Sequence, residues 1–442
     1  MNGRLARLVV LGVAFAARIA TAQPPAPPLR LTFEDAIARG LDTSHRIAEA
    51  VARGDAADAT VGQRHAALMP QLAAQAGYTR TNHVETFGVL LPNNQLRVIY
   101  PDVPDNYRSR LDLQWPIYTA GRLDALERAA RIEATASSDD VATARRDLAL
   151  EVARAYWALV SASASVSVVE ESVRRVDAHL QDVRNQLASG LVPPNDVLTV
   201  ETQESRQRML AIQARGNRDV AAAELARLVG IAPGTAIEAA ADLEPPPPEP
   251  IAIEALVDAA KQQRPERAAL VKRVEAAAER RRAAAAGLKP TIAVGGGVDY
   301  AQPNPRIFPR EARWRTSWDA SVNANWPLFD GGRARADAAE AGALARAVQE
   351  RLADLDAALA VEVRQRVTEL DSSRAAIDAA ADAIRSATEA RRVVGERFRA
   401  GVATSTDVLD AQVAILQTEL DRTQAIANAR VARARLDRAL GR

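Results

Sequence analysis

Cysteine is absent from the 442 residues. That excludes disulfides, thiolate chemistry, Cys-based zinc sites and a lipid anchor on an N-terminal cysteine. Histidine is scarce: His45, His65, His83 and His179 never fall at the i,i+3 or i,i+4 spacing that sets two rings on one helical face. They read as solvated or structural side chains, and no metal site is expected. Charge of one sign is lacking too, since Lys+Arg 57 against Asp+Glu 56 leaves a formal net charge of +1 and no electrostatic case for nucleic acid. No Gly-rich phosphate loop precedes a helix, and Gly295-Gly296-Gly297 lies inside a strand pattern, where close strand packing is its expected role. No catalytic constellation and no cofactor site stand out, so the chain does not read as an enzyme. After the first residues no run approaches 18 consecutive apolar residues, so no membrane-spanning helix is expected and any crossing must be made by strands.

What is present is mostly helical text. Aromatics are 4 % of the chain against 48 % hydrophobic residues overall, and Ala-Arg-Leu-Glu-Asp patterning dominates. Residues 1–22 read as a secretory signal: Arg4 and Arg7, the apolar run Leu8 to Ala17, then Ala20-Thr21-Ala22 as a small-x-small cleavage site. Pro24 to Pro28 is an extended lead-in. Thr32 with Asp35 predicts a capped helix start, and the helical pattern runs to about Leu68 before Met69-Pro70. From Gln71 the period becomes two, a Pro- and Asn-rich loop follows from Pro92 to Asn106, and a second alternating segment ends at Trp115-Pro116. Between Arg122 and Ser189 there is neither Gly nor Pro, which predicts a helix about 100 Å long that must pack along partners. A return helix is expected from about Asp196 to Val229.

The pattern then repeats. After a polyproline linker at 242–250, Trp326-Pro327-Leu328-Phe329-Asp330-Gly331-Gly332-Arg333 echoes Trp115-Pro116-Ile117-Tyr118-Thr119-Ala120-Gly121-Arg122 at an offset of 326 − 115 = 211. The same offset relates Gly401 to Gly190 and Asp407 to Asp196. Residues 23–241 and 251–442 are therefore read as two copies of one unit. Before Trp326 the alternation is clear: Trp314, Thr316, Trp318, Ala320, Val322, Ala324 and Trp326 share one face, and Arg313, Arg315, Ser317, Asp319, Ser321, Asn323 and Asn325 the other. A soluble sandwich needs more strands than this chain offers, whereas apolar-out, polar-in strands with aromatics near their ends suit a membrane barrel. Tyr107, Trp115, Trp314, Trp318 and Trp326 are its expected girdle. Four strands cannot close a barrel, so several chains must contribute, as a dimer of eight strands or a trimer of twelve.

The leader, the duplicated helix–strand pair–long helix–return helix order, the Trp-Pro-x-(Phe/Tyr)-x-x-Gly-Arg corners and the Gly-(Leu/Val)-x-x-x-x-Asp-Val turns resemble a TolC-type outer-membrane efflux protein over essentially the whole mature chain. The resemblance implies a mainly α fold with a membrane β-barrel portion: a homotrimer whose twelve-stranded barrel, set in outer-membrane lipid, continues as a helical tunnel into the periplasm. It implies a passive exit duct for small molecules or metal ions, supplied by an inner-membrane efflux transporter through a periplasmic adaptor. A conduit for secreted proteins is one alternative, and a pore-less periplasmic coiled-coil protein is another of a different class. By the same resemblance the turns bearing Gly190, Leu191, Asp196 and Val197, and Gly401, Val402, Asp407 and Val408, are the tips on which the adaptor docks.

Asp407 and Asp410 match a pair of aspartates that ring the tunnel mouth in the family. Their i,i+3 spacing places both on one helical face, and mutual repulsion among copies should raise their pKa. The plainer reading makes Asp407 a capping-box partner of Thr404 and Asp410 a solvated charge. The first repeat has Thr199 where the second has Asp410. Phe398 and Ala403 stand where the best-known member has a gate tyrosine and arginine, so the gate contacts do not carry over, and packing of Phe398 is the expected substitute.

Overall fold

The computed structural model describes residues 28–248 and 252–442. The predicted leader, its lead-in up to residue 27 and the end of the Pro-rich linker lie outside the described residues. The chain opens with β1 (Leu29–Leu31), α1 (Phe33–Thr43) and α2 (His45–Ala66), and the sheet strand β2 (Gln71–Arg80) follows. Thr32 caps α1 by accepting the Asp35 N–H at 3.1 Å, as its spacing predicts. The single helix expected up to about Leu68 is instead broken at Ser44, whose extended backbone and hydroxyl, which accepts the Arg46 N–H, restart it as α2.

The loop expected after β2 holds a small hairpin, β3 (Phe87–Leu90) with β4 (Leu96–Tyr100). Asn94 turns it in the left-handed region at φ 60°, and the Leu91 N–H bonds to the Gln95 carbonyl at 2.9 Å. The next strand, β5 (Asp105–Tyr118), does not stop at Trp115-Pro116: it passes the proline through a register shift between Pro116 and Tyr118, where a bulge tolerates the missing N–H.

The helices repeat with equal lengths. α3 (Arg122–Ala188) and α4 (Pro194–Leu228) have 67 and 35 residues. A short strand β6 (Ile237–Ala239) pairs in parallel with β1, a contact with no signal in the sequence pattern. Then come α5 (Ile253–Gln263), α6 (Pro265–Ala285), β7 (Thr291–Gln302), β8 (Arg315–Asn325), α7 (Arg333–Arg399) and α8 (Ser405–Ala439), the last two again of 67 and 35 residues. Each bound of α7 and α8 lies 211 positions after its counterpart, as 333 − 122 and 439 − 228 show.

Contrary to the expectation of no candidate span, α3 contains an 18-residue window of mean hydropathy 1.3. Isolated charges hid it from a search for unbroken runs. More than half of the window is buried, and α3 contributes Val152, Tyr156, Leu159 and Val160 to the largest core cluster, with Leu31, Ala36, Leu225 and Ile237.

The sheet has the order β2-β5-β7-β8, antiparallel throughout, so the two repeats meet at β5 and β7. Gly297 serves the close packing expected of the triple glycine: a Cβ there would lie 2.8 Å from the Leu111 carbonyl and 2.7 Å from an Arg110 guanidinium nitrogen. The described part of the linker is strapped to the long helices by Arg430 Nε, which donates to the Glu244 carbonyl at 2.7 Å, and by Arg374, which donates to the Pro247 carbonyl at 3.1 Å.

Candidate functional site

The sheet presents two unlike faces. Leu72, Leu111, Val298, Trp318 and Val322 are exposed on one, with Trp318 at 73 % and Val322 at 70 %. At the end of the sheet away from the long helices, Tyr78, Tyr107, Trp314 and Tyr300 form a chain of rings with successive centroids 5.0, 5.9 and 4.7 Å apart. At the other end Trp115 and Trp326 are anchored rather than free: each indole N–H donates at 3.1 Å to a carbonyl, of Leu68 and of Leu288. The residues expected to form a girdle thus sit at both ends of the strands, except Trp318, which sits within β8.

The opposite face carries an ion-pair cluster. Asp299, 1 % exposed at its side chain, accepts from Arg108 Nε at 2.6 Å and from Arg110 Nη1. Arg110 also reaches Asp319 at 2.9 Å and Asp112, and Arg306 pairs with Asp319 at 3.0 Å. Three arginines and three aspartates from β5, β7, β8 and the loop between the last two neutralise one another, which lets this face hold buried charge. Sequence alternation placed Asp319 on a polar face; Asp299, the most buried member, carried no signal because its neighbours in β7 are mostly small or apolar.

The two helical tips are built alike. Gly190 and Gly401 adopt φ of 72° and 74°, the left-handed conformation that ends a helix. In each tip the following N–H closes the turn: Leu191 to the Gln186 carbonyl and Val402 to the Arg397 carbonyl, both at 2.9 Å. The same residues project outward, with Leu191 75 % and Val402 63 % exposed. Val197 and Val408, which the resemblance placed on the docking surface, are buried instead. Each is a first-turn position on its helix's inner face, and Val197 packs with Val176, Leu180, Val183, Val200 and Leu409. Asp196 is half-buried.

The tips differ at their restart. Thr404 and Asp407 make a complete capping box: the Thr404 N–H donates to Asp407 Oδ2 at 2.8 Å and the Asp407 N–H to Thr404 Oγ1 at 3.2 Å. Pro193 at the matching position has no side-chain cap. These bonds from Thr404 hold the Asp407 carboxyl below its ordinary range. Within one chain the direction is therefore opposite to the rise expected from repulsion, because the nearest partners are hydrogen-bond donors and not other carboxylates. Asp407 and Asp410 are both exposed, one helical turn apart.

Phe398 packs against the tip cluster, its ring edge-on to His179 with centroids 5.1 Å apart. His179 is 6 % exposed, and its Nε2 lies 2.9 Å from Ser405 Oγ at the start of α8. Burial pushes this imidazole below its usual pKa. The sequence reading expected packing of Phe398 and a solvated or structural His179 but did not name Ser405 or join the three, since a lone histidine among helical text has no recognisable partner until α3 and α8 are brought together.

The model of the family described as outer membrane efflux protein matches residues 36–231 and 256–442. Protein CyaE of Bordetella pertussis is 26 % identical over 399 residues, covering 88 % of this chain and 80 % of that protein. Among solved structures, the outer membrane protein VceC from Vibrio cholerae aligns with a TM-score of 0.76 at 22 % identity, over 92 % of this chain and 96 % of that one. The Neisseria gonorrhoeae MtrE outer membrane channel, solved in its open state, aligns with a TM-score of 0.75 at 19 % identity, over 92 % and 88 % of the two chains.

Proposed function

Because this chain belongs to the outer membrane efflux protein family, a family of channels rather than enzymes, we propose that it is the passive exit duct of a tripartite efflux system. In this reading three copies close a twelve-stranded barrel and continue it as a helical tunnel through the periplasm. An adaptor and an inner-membrane transporter deliver small molecules or metal ions to it. The observation that carries the reading is the joining of two features in one chain. A four-stranded sheet with an exposed apolar face, and with edges at β2 and β8 that are unpaired among the described residues, runs directly into helices of 67 residues, about 100 Å long. Open sheet edges are not tolerated in lipid, so β8 of one copy pairs with β2 of the next, and the polar face with its ion cluster lines the interior.

At the far end, Gly190, Leu191 and Asp196 in one tip, and Gly401, Val402 and Asp407 in the other, form the adaptor surface. The outward Leu191 and Val402 side chains supply its apolar contacts. Asp407 and Asp410 from three copies set six carboxylates at the tunnel mouth, which favours cations and lets divalent ions block the passage. Asp407 fills both roles, since its capping bonds occupy one carboxylate oxygen.

Planar-bilayer recordings of the purified full-length protein test the duct. Cation-selective openings are expected, and recovery of a non-conducting protein from the soluble fraction would refute the reading. Replacing both carboxylates, Asp407→Ala with Asp410→Ala, is expected to weaken block by divalent cations at least several-fold; unchanged block and selectivity would reject the ring.

A further inference from the structure

Phe398 and Ala403 remove the side chains expected to hold a closed tip, so any closure in this chain needs other contacts. One side chain reaches both arms of the second-repeat hairpin from the first. His179, on α3, bonds to Ser405 in the first turn of α8 and stacks edge-on against Phe398 in the last turn of α7. Ser405 is itself 5 % exposed, so the contact is dry. Its energetic weight is raised by what lies next to it along α8. On the tip side Val176, Val200 and Leu409 join α3, α4 and α8, and on the far side Val169, Ala211 and Leu416 do the same. Between these layers the same three helices contribute Ser172, Gln207 and Gln412, all buried. Ser172 Oγ, Gln207 Oε1 and Gln412 Oε1 have no hydrogen-bond partner among the described residues. Buried polar atoms without partners weaken the closed packing at this level. The first two turns of α8, which carry Asp407 and Asp410, are thus seated by the tip contacts rather than by a continuous apolar seam.

We propose that His179 is the latch of the resting tip: its contacts with Ser405 and Phe398 hold the second-repeat hairpin against α3, and their release lets residues 405–412 swing away and widen the mouth. This rests on the duct reading above. His179 is a positioning residue in this scheme and touches no cargo.

The absence of cysteine makes a direct test available. His179→Cys with Ser405→Cys, in the full-length trimer, is recorded in planar bilayers before and after treatment with a short bifunctional thiol cross-linker. Without cross-linker the double variant is expected to open at least several-fold more often than the unaltered protein, and cross-linking is expected to suppress those openings by tenfold or more. Cross-linked channels that open as freely as uncross-linked ones overturn the latch. Ser405→Ala removes only the hydroxyl and leaves folding least disturbed. It is expected to raise open probability, with faster hydrogen exchange confined to residues 405–412; wild-type open probability and exchange in that variant also overturn it. Silence of the unaltered protein in the bilayer instead refutes the duct itself, and the latch with it.

Discussion

The side chain of Tyr156 offers a sharp test of how the first repeat is held together. It is completely buried on α3, and its hydroxyl serves two segments distant in sequence: it donates to the Leu31 carbonyl at 3.2 Å and accepts the Ala241 N–H at 3.2 Å. Tyr156→Phe keeps the ring and its edge-on packing against Phe33 and Trp157 while deleting both bonds. The two losses are unequal. The Leu31 carbonyl also accepts the Ala240 N–H at 2.8 Å and stays satisfied, whereas the Ala241 N–H is left without its partner. One unsatisfied, half-buried donor costs about 1–2 kcal/mol, not the about 2–4 kcal/mol that two orphaned groups would. Chemical unfolding of the helical portion, followed by far-ultraviolet circular dichroism in detergent, measures the difference. A shift in midpoint at constant slope corresponding to about 1–2 kcal/mol is expected, with faster exchange of the amides around β1 and β6. A loss above about 4 kcal/mol, or none at all, would show that the carbonyl accounting is wrong.

Other expectations follow from the same structure. Trp115→Phe and Trp326→Phe each remove an indole N–H bond to a carbonyl in the turn after a helix, Leu68 after α2 and Leu288 after α6, so each should cost about 1 kcal/mol, and the double variant about 2; thermal unfolding of the reconstituted protein checks the sum. For His179 the folded-state pKa is depressed below the unfolded value of about 6.5, so the unfolded chain binds the proton more readily. Stability at the tips should therefore be unaffected above about pH 6.5 and fall as the pH drops below it. Asp182 on the same helix opposes the shift, while the contacts from α7 and α8 are the uncharged Phe398 and Ser405. Tip-amide exchange at pH 5 against pH 7.5 reads the effect, which His179→Gln should abolish.

Much of this architecture was legible before any coordinates because its signals are local. A stretch without Gly or Pro, a Trp-Pro corner or a Gly followed six residues later by Asp-Val specifies backbone geometry within a few turns, and duplication states each signal twice. Thr404 with Asp407 likewise declared a capping box from spacing alone, and the structure contains it. The departures occur where one local rule met another. A serine inside helical text split α1 from α2, a proline was absorbed by a bulge in β5, and Asn94 turned a supposed loop into a hairpin.

What the sequence by itself determined, then, is the repeating order of helices and strands and the polarity of each strand face, because both are periodicities written along one segment. Tertiary structure alone decided which side chains from separate segments meet. It buried Val197 and Val408 beneath the tips and left Leu191 and Val402 outside. It also set Asp299 between Arg108 and Arg110 across the repeat boundary, and set His179 between Phe398 and Ser405, more than 200 positions away. Such contacts depend on how antiparallel helices and paired strands are aligned across the whole chain, and no pattern within a single element encodes that alignment.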